Sequence, residues 1–184
     1  MGGTDEGTAH QDAASSPKAQ CLIDVYKRYF DLIPKMVPEE RIDELAEKII
    51  SARRICVWGI NRTGLSAQQL SFRLLCLGIM NKVMTDQAAM IDDASIVGAG
   101  DLCIAFTVAG RGTDYLSLVR DAHAGGAQIA LISMNSTLEC VREADIAIVL
   151  PWISHENRAN FFEDQLVVYM FIEVLLLRLS HLGT

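Results

Sequence analysis

Five short apolar runs, "ICVWGI", "KVM", "DLCIAFTV", "QIALISM" and "IAIVLP", are spaced along the chain, and helix-patterned stretches fill most of the intervals between them. The runs do not alternate polar with apolar residues, so a strand built from one must be covered on both faces. Strands of that kind, alternating with helices, predict an α/β three-layer sandwich: five mainly parallel strands with helices on both faces. Helices are predicted at "TGLSAQQLSFRLLCLG", "DYLSLVRDAHAGG" and "STLECVREA". Two more open the fold, at "CLIDVYKRYFDLIPKM" and "PEERIDELAEKIISA", the second led by Pro38 and two glutamates, residues that suit a helix start. One long helix, "RANFFEDQLVVYMFIEVLLLRLSHL", closes it. That last helix is apolar over so much of its surface that a second subunit is expected to cover part of it.

The 184 residues fit one domain, and 51% hydrophobic residues can fill a sizeable core. Residues 1–18 are polar and small, and are expected to form a disordered tail ahead of a single domain at 19–184. They lack the apolar stretch of a signal peptide, and the longest apolar run elsewhere falls short of a bilayer span and contains Glu173. A cytoplasmic protein without a membrane partner is the expectation. Sixteen Lys and Arg against 23 Asp and Glu give a net charge of −7, which leaves no broad basic face for a nucleic acid. The five cysteines form no C-x-x-C pair, and Cys56, Cys76 and Cys103 interrupt apolar runs, as buried, reduced thiols do. No His, Asp and Glu grouping suggests a metal site, and no cofactor is expected.

In open parallel sheets, ligands sit at the carboxyl ends of the strands. Three such ends combine small residues with a helix start, where free N–H groups favour an anion. The first carries Gly59, Asn61, Arg62 and Thr63; the second Thr107, Ala109, Gly110, Arg111, Gly112 and Thr113; the third Ser133, Ser136 and Thr137. Each alone could simply be a helix cap. Together, two of them with an arginine, they predict a shared phosphate pocket. Neither G-x-G-x-x-G nor G-x-x-x-x-G-K-[ST] occurs, which disfavours dinucleotides and nucleoside triphosphates.

The segments "RRICVWGINRTGLSAQQLSFRLLCLGI", "AGDLCIAFTVAGRGTD", "GGAQIALISMNSTL" and "EADIAIVLP" resemble, in order, the sugar isomerase (SIS) domain family. The two leading helices and the single domain look most like its 6-phospho-3-hexuloisomerases. The segment "TDQAAMI" also resembles the sugar-phosphate-sensing half of SIS-type transcriptional regulators. The resemblance implies a sugar phosphate as ligand, a homodimer or homotetramer, and either aldose–ketose isomerisation by enediol proton transfer or non-catalytic sensing; a vestigial pocket in a structural oligomer is the third reading. Asn61 stands where the family has glycine, and Ala109 and Gly112 stand where its phosphosugar turn, S-x-S-G-x-T, has hydroxyls. Thr113, one position on, is the candidate substitute. The resemblance puts the isomerase base at Glu163, with Gln165 as the alternative register, and leaves His155 as the histidine able to reach the pocket from the last strand.

Overall fold

The structure, a computed structural model, describes residues 17–110, 113–156 and 162–182. Its strands are β1 (Arg54–Trp58), β2 (Lys82–Met84), β3 (Asp101–Thr107), β4 (Gln128–Ser133) and β5 (Ile146–Val149). Every pairing is parallel, in the order β2-β1-β3-β4-β5. The helices are α1 (Pro17–Phe30), α2 (Ile33–Met36), α3 (Glu39–Ser51), α4 (Arg62–Cys76), α5 (Gln87–Ile96), α6 (Tyr115–Ala124), α7 (Glu139–Glu143), α8 (Ile153–Glu156) and α9 (Gln165–Leu182).

Side chains alternate across the sheet and build two cores. Leu102, Ile104 and Phe106 of β3 pack with α1, α3, α4 and α9 on one face. Cys103 and Ala105 pack with α5, α6 and α7 on the other. Every residue of β3 is buried, which is why its sequence runs apolar without a period. At the opposite end of this strand, the buried Asp101 carboxylate accepts hydrogen bonds from Arg53 and Arg54 and from the Gly98 N–H at 2.9 Å. The Arg54 guanidinium holds that carboxyl well below the usual carboxylate range.

The structure departs from the sequence expectations in several places. Residues 17 and 18, assigned to the tail, begin α1, where proline suits the first helical position. The first expected helix breaks after Phe30: Pro34 has no N–H to continue it and opens the short α2 instead. The closing helix starts only at Gln165, because the buried Asp164 accepts from the Ser154 N–H at 3.0 Å and ties this turn to α8. Helix α5 was not predicted. Cys76 is exposed at the end of α4 while Cys140 is buried, and every cysteine among the described residues is free. Among the described residues one helix, α9, is long and apolar enough to cross a membrane by length and composition. Here Phe171, Ile172 and Leu175 bury one side of it in the core, and Glu173 and Arg178 pair with Arg73 and Asp43.

Candidate functional site

The crossover β1-α4-β2 runs toward one edge of the sheet, and β3-α6-β4 runs toward the other. Between the carboxyl ends of β1 and β3 the connections therefore part and leave a crevice. A cavity of about 270 Å³ lies there, close to the lower end for small-molecule sites. Of the sequence candidates, Asn61, Arg62, Thr63, Thr107, Ala109 and Glu163 line it, as does the alternative Gln165. Ile60, Ser66, Val108, Tyr115, Asp164 and Val168 complete the described lining.

The β1 turn is built for close approach. A Cβ on Gly59 would stand 2.3 Å from the Thr63 carbonyl oxygen, so only glycine lets α4 begin where it does. Thr63 Oγ1 donates to the Ile60 carbonyl at 2.9 Å and accepts from the Ile60 N–H at 3.1 Å, which locks the turn on itself. Asn61 takes φ 54° and ψ −121°, a backbone region that favours glycine, and it is the only non-glycine residue with positive φ among the described residues. Its side chain makes no capping bond at the start of α4, where the Thr63 N–H donates to the Ile60 carbonyl at 3.1 Å and Asn61, Arg62 and Thr63 all line the cavity. The α6 end differs: Asp114 accepts from the Ser117 N–H at 3.1 Å and caps that helix with its own negative charge. Hydrogen bonds from Ser117 hold the Asp114 carboxyl below its ordinary value.

Across the cavity, Arg62 donates to Glu163 in an exposed ion pair, and Gln165 Nε2 donates to the Arg62 carbonyl. Glu163 Oε1 also accepts from the Gln165 N–H at 3.2 Å and so caps the start of α9. Its backbone is held by Tyr26 of α1, whose hydroxyl accepts from the Glu163 N–H at 2.8 Å and donates to the Glu163 carbonyl at 3.3 Å. Both candidates for the base position thus line the cavity.

The other candidates are not part of the described lining. Gly110 has φ 71° and turns the chain after β3; its N–H donates to Thr107 Oγ1 at 3.1 Å. Thr113 gives its carbonyl to the Tyr115 N–H at 3.0 Å. Ser133 is buried and donates to the Val108 carbonyl at 3.4 Å, which places it behind the β3 turn as a support. Ser136 is exposed. His155, on α8, is exposed and lies against Trp152, with ring centroids 4.6 Å apart. Arg111 and Gly112 lie outside the described residues. The sequence reading missed Ser66 and Tyr115, which look like ordinary helix residues until the crevice is assembled. Among the described residues, no group of three His, Cys, Asp or Glu side chains could hold a metal ion.

Comparison with known proteins places this geometry in a family. The chain is 27% identical over 123 residues to an uncharacterized HTH-type transcriptional regulator from Providencia stuartii, a match that covers 67% of this chain and 43% of that protein. It thus spans less than half the length of that relative. The Vibrio vulnificus NanR protein, solved in complex with ManNAc-6P, has the same fold, with a TM-score of 0.80 at 14% identity, covering 89% of this chain and 63% of that one. The Methanococcus jannaschii protein MJ1247, whose structure was taken to infer a 3-hexulose-6-phosphate isomerase function, superposes with a TM-score of 0.62 at 19% identity, over 88% of this chain and 86% of that one. Residues 48–178 match the SIS domain as a continuous segment, and the chain belongs to the SIS domain family.

Proposed function

We propose that the crevice between β1 and β3 binds a sugar phosphate and isomerises it by enediol proton transfer, moving its carbonyl to the neighbouring carbon in the manner of a 6-phospho-3-hexuloisomerase. The observation that carries the binding is the uncapped N-terminus of α4 opening on a cavity that also holds the Arg62 guanidinium. A helix N-terminus and an arginine both favour a dianion, and the α6 end, already capped by Asp114, does not compete for it. Thr107, on the β3 side of the same cavity, extends this cradle.

For the chemistry, a base must carry a proton between neighbouring carbons. Glu163 takes that role: it lines the cavity, and its backbone is fixed on both sides by Tyr26. A phosphate that engages Arg62 would release the Glu163 carboxylate from its ion pair and free it to accept the proton. Glu163→Gln is expected to bind the same sugar phosphate as the wild type while turnover falls by about 10²- to 10⁴-fold. A panel of five- to seven-carbon sugar phosphates, read by calorimetry and by an isomerase assay, tests this; unchanged turnover in the variant overturns the role of Glu163.

A second reading, a phosphosugar sensor without catalysis, is favoured by one observation: no histidine is among the described lining, and Glu163 already serves as a helix cap. Wild-type binding without turnover on the panel would establish it. We also propose that the chain acts as a homodimer or homotetramer, supported by the exposed apolar side chains Phe72, Leu75 and Leu177 on α4 and α9.

A further inference from the structure

Three buried side-chain polar atoms lack a hydrogen-bond partner among the described residues, and two of them, Ser66 Oγ and the Tyr115 hydroxyl, belong to residues lining the same cavity. Ser66 is 1% exposed and Tyr115 3%. Each is left over for an identifiable reason. A serine inside a helix ordinarily donates to the carbonyl four residues back. For Ser66 that is the Arg62 carbonyl, which already accepts from Gln165 Nε2. The Tyr115 hydroxyl lies beside Thr63 and the Ile60 backbone, which offset part of its burial, but Thr63 Oγ1 and the Ile60 N–H and carbonyl are already bonded to one another, and no bond of full geometry reaches the hydroxyl. Burial pushes the Tyr115 phenol up, so it stays a neutral donor at physiological pH.

We propose that Ser66 and Tyr115 form a hydroxyl floor that recognises the hydroxylated carbon chain of the ligand, separately from the groups that hold its phosphate. This rests on the sugar-phosphate reading above and names which part of the sugar these two residues meet. Arg62 and the α4 N-terminus carry the positive character at the cavity mouth. Ser66 lies one helical turn further in, roughly 6 Å along the axis from Arg62. A neutral hydroxyl both donates and accepts, which matches a sugar hydroxyl or carbonyl oxygen and has no advantage for a dianion. A site that leaves its own hydroxyls unpaired until the sugar arrives rejects analogues lacking the matching oxygen.

The test uses Ser66→Ala and Tyr115→Phe, which remove only the hydroxyls. Two ligands are titrated by calorimetry: the tightest binder of the five- to seven-carbon sugar phosphate panel, and inorganic phosphate. Each variant is expected to weaken the sugar phosphate about tenfold and leave inorganic phosphate within about twofold. Without ligand, each variant should melt about 2–4 °C higher, since an unpaired buried hydroxyl has been removed. Equal weakening of both ligands, unchanged affinity for the sugar phosphate, or a melting temperature lowered by several degrees would overturn this inference while leaving the binding site in place. A wild-type protein that binds no sugar phosphate of the panel overturns the sugar-phosphate reading, and this inference with it.

Discussion

At the scale of single residues, Asn61 carries backbone strain. Its φ of 54° and ψ of −121° cost a non-glycine residue about 1–3 kcal/mol, and it sits on the wall of the cavity. Asn61→Gly would relieve that strain and give back about 0.5–1 kcal/mol in extra unfolded-state freedom. The net expectation is a gain of about 1 kcal/mol, measured as an increased urea midpoint at constant slope. The departure from the family's glycine was legible in the sequence; that the backbone nevertheless takes positive φ at Asn61 was not. Asp101 makes the complementary case. Its carboxyl is depressed by Arg54, so its stabilisation is fully present above the unfolded value of about 4 and is lost as pH falls toward the folded one. Asp101→Asn should cost about 2–3 kcal/mol at pH 7. Denaturation at stepped pH should show wild type and variant converging below about pH 4.

Among the elements, the strands and most helices could be read from the chain because each buries a periodic or continuous apolar pattern. Helix α5 could not. Its inward residues, Met90, Asp93, Ala94 and then Val97, have helical spacing, but an aspartate interrupts the stripe. Asp93 is inside because it accepts from the Trp58 indole N–H at 2.8 Å and from Lys82 Nζ at 3.2 Å, partners on two different strands. Nothing in the local sequence announces such a partner. Asp93→Ala would leave the fully buried Trp58 indole N–H unpaired and is expected to cost about 1–3 kcal/mol in chemical denaturation. The site divides in the same way. Residues at strand ends could be found by their composition, whereas Ser66 and Tyr115 sit inside or at the start of helices and became visible only when α4 and α6 were set side by side.

For the whole molecule, the apolar surface left on α4 and α9 sets the expectation for assembly. Phe72 is 65% exposed and Leu177 61%. Sedimentation velocity at micromolar concentration should show dimers or tetramers, and Phe72→Glu should shift the distribution toward monomer; a wild type that sediments as a monomer throughout would refute the proposed assembly. Another whole-molecule feature is the grip of Tyr26 on the backbone of Glu163, reinforced by the edge-on contact of its ring with Phe162, centroids 5.7 Å apart. Tyr26 lies 22 positions ahead of residue 48, where the match to the family begins. A gene fragment trimmed to residues 48–178 would therefore encode the sheet, the crevice and Glu163, and discard the tyrosine that grips the Glu163 backbone.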